Sequence, residues 1–355
     1  MAWAVSNGRH LMELPSVVLA GRDVLPETGS LIRGHGLSGH VVVASGPNVW
    51  AALGEKLRAS LSEADFGRSW VEVGAPDLAA VEEVEKEVVK TGSKVVVGMG
   101  GGKSIDVAKL AAFRQGARMI SVPTSASHDG MSSPFASIRG FGRSYSAVTK
   151  PPFAIVADLG VILGAPPRTF NGGVGDLLAK LTAVKDWQLA RDEKGEYYGT
   201  YAANLARMSA VMVEEEASNI GSRNDEGISG LIEALISAGV AAGIAGSSRP
   251  CSGAEHLFSH ALDRIAPGKG LHGEKTGLGS IMMAKLHGLD WERIRRALVE
   301  AKAPSRAGEL GLTDEEVVEG LLAAPSVRPD RYTILHKLRL DADQARELAV
   351  ETGVI

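Results

Sequence analysis

The sequence predicts an α/β domain built on a parallel sheet, over residues 1–165, followed by an all-α domain over residues 166–355. Three observations carry that reading. Short β-rich runs alternate with helical periods from Gly39 to about Val122. The β-rich runs are almost wholly apolar, as strands covered on both faces must be. After Pro166 the β-rich runs stop and helical periods take over.

His40–Ala44 (HVVVA) reads as a strand, closed by a turn at Gly46, Pro47 and Asn48. The next helix sets Leu53, Leu57 and Leu61 on one face at i, i+4 spacing. Trp70–Val73 is a second strand, and Asp77 caps a helix whose Val81, Val84 and Val88 share a face. Lys94–Val97 is a third strand, running into the turn Gly98-Met99-Gly100-Gly101-Gly102. Lys103 to Phe113 is helical, Ala117–Val122 is a fourth strand, and Ser137–Ile162 is a β-rich piece ending near Asp158 and Gly164. In the second half, helices are expected over Gly175–Trp187, Tyr201–Ser222, Gly227–Gly246, Gly253–Ile265, Glu274–His287 and Trp291–Ala301. Pro250, Pro267, Gly268, Gly270 and Pro304 punctuate them.

Composition narrows the function classes. The 355 residues are 45% hydrophobic and 23% charged, with a formal net charge of −4. That balance suits a globular chain and gives no global basic field for nucleic acid or an anionic membrane. A phosphorylated ligand would need a local positive patch. Cys251 is the single cysteine, so an intramolecular disulfide framework is excluded and a reducing cytoplasm is expected. Asn7, Gly8, Arg9 and His10 break the stretch from Met1 to Leu14, which is not expected to be a signal peptide. No run is read as reaching the roughly 20 apolar residues of a membrane span, so no membrane insertion is expected.

Three constellations carry chemistry. Gly100-Gly101-Gly102-Lys103-Ser104 follows a strand and opens a helix. Glycines there let backbone N–H groups approach an anion, and the helix N-terminus adds positive potential, so a pyrophosphate is the natural occupant. The Walker pattern fails because Val97 stands where its first glycine should be. The G-x-G-x-x-G pattern fits Gly98 and Gly100 but meets Lys103 at its third glycine. A tight strand–helix turn without a ligand is the alternative. The second constellation is Pro123-Thr124-Ser125-Ala126-Ser127-His128-Asp129. Its hydroxyls suit a ribose, amide or phosphate, and Asp129 a substrate hydroxyl; a polar turn is the alternative. The third comprises Asp176, read near a helix start, His256 and His260 on one helix face, and His272 before a helix beginning around Glu274. One carboxylate and two imidazoles suit Zn²⁺ with a position left open, although spacing alone does not bring the three together.

In this order, GMGGGKSIDVAK, PTSASHDGMSS, GGVGDLLAK, SGAEHLFSHALD and LHGEKTGLG resemble the sn-glycerol-1-phosphate dehydrogenases, from about His40 to Leu286. Glycerol dehydrogenase, iron-containing alcohol dehydrogenases and dehydroquinate synthase share their superfamily. The resemblance implies a dehydroquinate synthase-like fold, with a Rossmann-like N-terminal domain, a helical C-terminal domain and the site between them. It implies that Gly102, Lys103, Ser104, Ile105 and Asp106 cradle the pyrophosphate of NAD(H) or NADP(H). Thr124, Ser125, Ala126 and Ser127, with Ser133, would contact the nicotinamide half. Asp176, His256 and His272 would hold one Zn²⁺, or another divalent metal, per subunit. Asp129, Asp176 and His260 would face the substrate, dihydroxyacetone phosphate, and serve catalysis. Lys180, one turn after Asp176, is the candidate for the substrate phosphate.

The implied reaction is reduction of dihydroxyacetone phosphate to sn-glycerol-1-phosphate, which supplies archaeal-type ether-lipid backbones. Metal polarisation of the ketone and hydride transfer would leave a proton to be delivered, with His260 or a metal-linked water as donor. A homo-oligomer is expected, with no nucleic-acid partner. His128 before Asp129 and the segment GDLLAKLTAVKDW favour this branch over glycerol dehydrogenase. Asp176 argues against a dehydroquinate synthase-like lyase, which shows glutamate there. The region near Gly46–Asn48 and Val73–Asp77 holds no acid or arginine that decides between NADH and NADPH.

Overall fold

A computed structural model describes residues 10–140 and 143–355. The stretch read for leader character lies, up to residue 9, outside the described residues, as do residues 141 and 142 of the β-rich piece. The chain divides into two compact units. Among the described residues, one contains Glu13–Ala126 and Gly130–Ala165; the other contains Pro166–Ile355 together with Ser127–Asp129 and residues 10–12.

The first unit holds β1 (Val17–Gly21), α1 (Thr28–Gly34), β2 (His40–Ser45), α2 (Pro47–Glu63), β3 (Gly67–Glu72), α3 (Leu78–Thr91), β4 (Val95–Gly100), α4 (Gly102–Arg114), β5 (Arg118–Pro123), β6 (Phe135–Gly140), β7 (Arg143–Val148), β8 (Ala154–Asp158) and α5 (Leu159–Leu163). Six strands form a parallel sheet in the order β1-β8-β5-β4-β2-β3, and β6 pairs antiparallel with β7. Every residue of β4 and β8 is buried, which is why these strands are apolar on both faces. Leu57 and Leu61 of α2 pack on Val41, Val43, Val95 and Val97. The side chain of Asp77 caps α3 by accepting the Ala80 N–H at 2.9 Å, and Gly92 ends it with a positive φ of 65°.

From β2 the chain passes through α2 to β3 on one side, and from β4 through α4 to β5 on the other. The carboxyl ends of β2 and β4 therefore flank a topological switch point, where open parallel sheets bind ligands. The turn after β4 is tighter than the glycine run suggests. The strand continues to Gly100, and Gly101 alone separates it from α4. A preceding strand, β1, also makes the glycine-bearing strand the fourth in the chain rather than the third.

The second unit is helical: α6 (Pro167–Lys194), α7 (Thr200–Glu215), α8 (Ala217–Ser222), α9 (Asp225–Ala245), α10 (Ala254–Ile265), α11 (His272–Leu286), α12 (Trp291–Glu300), α13 (Asp314–Val327), α14 (Ile334–Leu338) and α15 (Ala342–Glu351). The 28 residues of α6 start well before the predicted Gly175, so Asp176 lies inside the helix rather than near its start. The run Asn171-Gly172-Gly173 is helical because α11 packs directly against it. A Cβ at Gly175 would lie 2.1 Å from the Gly273 carbonyl oxygen, and one at Gly273 would lie 1.9 Å from that of Gly172. Tyr201–Ser222 breaks into two helices at Glu216, and three further helices follow Ala301.

By length and composition α9 could cross a membrane, against the reading of no such run, but 67% of its apolar window is buried. Its small and aliphatic residues make it a core helix of this unit. Asp186, fully buried on α6, accepts the Ala254 N–H at 2.7 Å, the Ile334 N–H at 2.6 Å and approaches His287 Nε2 at 3.0 Å. One carboxylate thus ties α6 to the starts of α10 and α14 and to the end of α11.

Gly273→Ala should lower stability by about 1–3 kcal/mol or more, through overpacking of the α6–α11 contact. Gly308→Ala, where a Cβ meets nothing within 4 Å, should stay within about 0.5 kcal/mol of the parent. Equal denaturation midpoints for the two variants would refute the packing argument.

Candidate functional site

Helices α6, α10 and α11 present the predicted metal ligands. The two histidines of α10, His256 and His260, stand one turn apart. His272 is the first residue of α11, and Asp176 faces them from α6. His256 Nε2 lies 3.3 Å from Asp176 Oδ1. Asp176, His256 and His272 each offer a ligand atom, and these atoms all lie within 4.8 Å of one another. Bonds of 2.0–2.1 Å in a tetrahedral site put donors about 3.3 Å apart, so the His256–Asp176 separation already suits a shared ion.

His260, Asp263 and His272 form a second group within the same limit. There the Asp263 carboxylate is already paired with the Lys275 ammonium and is 47% exposed, against 2% for Asp176. A buried carboxylate facing two imidazoles is the better cation site.

The rest of Asp176 is committed. Its Oδ2 accepts the Asp129 N–H at 3.1 Å and the Lys180 ammonium at 3.0 Å. Lys180 Nζ also lies 2.7 Å from Asp129 Oδ2 and donates to the Cys251 carbonyl at 3.3 Å. Lys180 is fully buried, so the expected phosphate hook is found as the counter-ion of two carboxylates. Burial opposes charge on Asp176, yet Lys180 and His256 outweigh it and hold the carboxyl well below its ordinary range. Burial likewise opposes the Lys180 charge, but Asp129 and Asp176 raise its pKa. Two carboxylates against one ammonium leave a net negative charge beside the imidazoles.

Burial and the neighbouring imidazoles His256 and His260 push the His272 pKa well down, which keeps the ring neutral as a ligand must be. For His256 burial is outweighed by its bonds to Asp176 and Glu255, and its pKa rises. Its Nδ1 is held by Glu255 Oε1 at 2.8 Å, so Nε2 faces an anionic oxygen and needs either a proton or a cation there. These residues fit a divalent metal. His260 lies to one side, its ring centroid 5.1 Å from that of His272 and its Nδ1 3.5 Å from Asp263 Oδ2, and it is partly exposed.

The predicted cofactor residues sit chiefly in the other unit. Gly100 has φ 151°, and a Cβ there would lie 2.8 Å from Ser104 Oγ, so the turn into α4 requires glycine. Ile105 N–H is bonded to the Gly101 carbonyl, which leaves the N–H groups of Gly102, Lys103 and Ser104 without an intrahelical acceptor. That is an anion cradle. Asp106 is instead turned inward: Oδ1 is 3.3 Å from Lys109 and Oδ2 accepts the Ser137 N–H at 3.0 Å.

Buried Lys109 donates to the Gly130 and Phe135 carbonyls at 2.6 and 2.8 Å, fixing the chain that follows the Ser/Thr loop. Thr124 N–H bonds the Gly100 carbonyl at 3.0 Å, and Ser125, Ala126 and Ser133 are buried. Ser127 and Asp129 belong to the helical unit.

Sequence reasoning missed Glu255, Ser259 and the Lys275–Asp263 pair. Glu255 reads as an ordinary first-turn acid, and only its immediate precedence of His256 hinted at more.

The sequence profile of the iron-containing alcohol dehydrogenases matches residues 19–166. A glycerol-1-phosphate dehydrogenase (NAD(P)+) of Hyperthermus butylicus is 48% identical, over 98% of this chain and 99% of that protein. Its counterpart from Cenarchaeum symbiosum is 49% identical over 97% of each chain, and that of Pyrococcus abyssi 46% identical over 98% and 100%. Among solved structures, glycerol dehydrogenase of Schizosaccharomyces pombe superposes with a TM-score of 0.82 at 22% identity, covering 99% of this chain and 91% of that one. NADH-dependent butanol dehydrogenase A of Thermotoga maritima gives 0.73 at 16%, covering 98% and 99%. The fold is therefore that of the glycerol dehydrogenases and iron-containing alcohol dehydrogenases. At 48% identity over nearly its whole length, the chain belongs to the glycerol-1-phosphate dehydrogenase family.

Proposed function

We propose that this protein reduces dihydroxyacetone phosphate to sn-glycerol-1-phosphate with NADH or NADPH, using one divalent metal ion, Zn²⁺ by preference. The observation that carries this reading is the convergence of Asp176, His256 and His272 in a chain of this family. A bound cation supplies Lewis-acid polarisation of a carbonyl oxygen, and a reduced nicotinamide supplies hydride.

The chain's own residues do the rest. Asp176, His256 and His272 hold the ion. The N–H groups at the start of α4 take the pyrophosphate, with Lys103 as a partnering cation. Thr124, Ser125, Ala126, Ser127 and Ser133 line the nicotinamide half, while Ile105 and Asp106 support the cradle from within α4. Asp129 orients a substrate hydroxyl. His260, partly exposed and beside Asp263, takes a proton from solvent and delivers it to the alkoxide oxygen left by hydride transfer, which becomes the new hydroxyl. Lys180 bridges Asp129 and Asp176 as their shared counter-ion, a role we favour over the phosphate contact because its ammonium is already engaged. The product suits ether-lipid backbone synthesis of the archaeal type, and a homo-oligomer remains the expected assembly.

Oxidation of NADH and NADPH with dihydroxyacetone phosphate should be lost on chelation and restored by Zn²⁺, with sn-glycerol-1-phosphate as product. Turnover of dihydroxyacetone alone would reassign the enzyme to glycerol dehydrogenase. Asp176→Asn should abolish turnover while the Kd for NADH stays within about twofold; a largely active variant would remove Asp176 from the metal site.

Lys180→Met should lower both stability and kcat, since leaving a buried carboxylate without its partner costs about 3–5 kcal/mol. A rise in KM for the phosphorylated substrate alone, with stability and kcat intact, would restore the phosphate role.

A further inference from the structure

We propose that Glu255 and Ser259, one turn apart on α10, are positioning residues that set the tautomers of both histidine ligands and hence the metal affinity. The inference rests on the metal reading above. A neutral imidazole carries one N–H, and the nitrogen that keeps it is decided by the partner it meets.

Glu255 is fully buried. Its Oε1 lies 2.8 Å from His256 Nδ1 and accepts the Gly253 N–H at 2.6 Å, while Oε2 accepts the Thr182 hydroxyl at 2.8 Å. An ionised carboxylate only accepts hydrogen bonds. His256 therefore keeps its N–H at Nδ1 and turns the Nε2 lone pair toward Asp176 Oδ1, 3.3 Å away.

Ser259 is equally buried and has a single hydroxyl hydrogen. It donates that hydrogen to the His272 carbonyl at 3.2 Å, and its oxygen then accepts from His272 Nδ1 at 3.1 Å. His272 is left with Nε2 as its bare nitrogen. The same helix face thus fixes both rings, at i and i+4. Space for the arrangement depends on Gly253, where a Cβ would lie 2.6 Å from Asp186 Oδ2 and 2.9 Å from Glu255 Oε2.

The test compares the full-length parent with Glu255→Gln and Ser259→Ala. Zinc affinity is read by competition with a chromophoric chelator, beside the melting temperature of the metal-free protein and the Kd for NADH. Glutamine keeps the shape and the Oε1 contacts to His256 and Gly253, so the variant leaves packing in place and removes the carboxylate charge that holds the Nδ1 proton and raises the basicity of the ring. Each variant should bind zinc about 10–100-fold more weakly, with NADH affinity and metal-free melting temperature unchanged. Zinc affinity within twofold of the parent in either variant overturns the proposal. So does weaker zinc binding that merely follows a lowered metal-free melting temperature. A parent that binds no zinc removes the metal reading itself, which separates the two failures.

Discussion

The helical unit depends on the close approach of α6 and α11. Gly175, Gly273 and Gly277 leave no side chain between the two backbones, so the helices meet almost carbonyl to Cα. A glycine inside a helix costs about 0.5–1 kcal/mol relative to alanine. The packing gained along the seam offsets that cost, and it has a chemical consequence. Asp176 sits one residue beyond Gly175, and His272 one residue before Gly273. Closing the seam brings their side chains into reach of one another, and α10 adds His256 to the same point.

Charge balance then decides which state the cluster occupies. Two carboxylates in a buried place are unstable without compensation. Lys180 supplies one positive charge and bridges both, while His256 Nε2, facing Asp176, remains in need of a proton or a cation. Residues with no catalytic duty hold this arrangement. Asp186 anchors the N-terminus of α10 two residues before His256, and Glu255 grips the His256 ring itself. The cluster is thereby built from outside inward, with its side chains held by partners that are themselves hydrogen-bonded.

The α/β unit solves a different problem with the same means. Gly98 lets α4 lie close on β4, since a Cβ there would meet Ala108 at 2.8 Å and Met119 at 2.9 Å. Gly100 then adopts a φ that other residues avoid, and the chain enters α4 with its first N–H groups outside the helix's own hydrogen bonding. The carboxyl end of β4 borders the switch point of the sheet, which is where topology leaves space for a ligand.

Much of this was legible in the chain. Apolar runs such as Val41–Val43 and Val95–Val97 report burial on both faces, and the i, i+3, i+7 valines of α3 report one buried face. The ordered motifs pointed to Asp176, His256 and His272, and the fold brings these three side chains within reach of one another. Local rules failed where a distant neighbour overrides them. The expected helix began at Gly175, and the residues before it join the helix where α11 packs on them, while Val17–Gly21 becomes a strand only through pairing with Ala154–Asp158. Lys180 looks like a phosphate contact from its spacing, and only the return of the Asp129 loop beside α6 turns it into a buried counter-ion. Residue chemistry and period are local properties that the sequence determines by itself; which acceptor faces which imidazole nitrogen depends on contacts between residues far apart in the chain, and only the tertiary structure decided that.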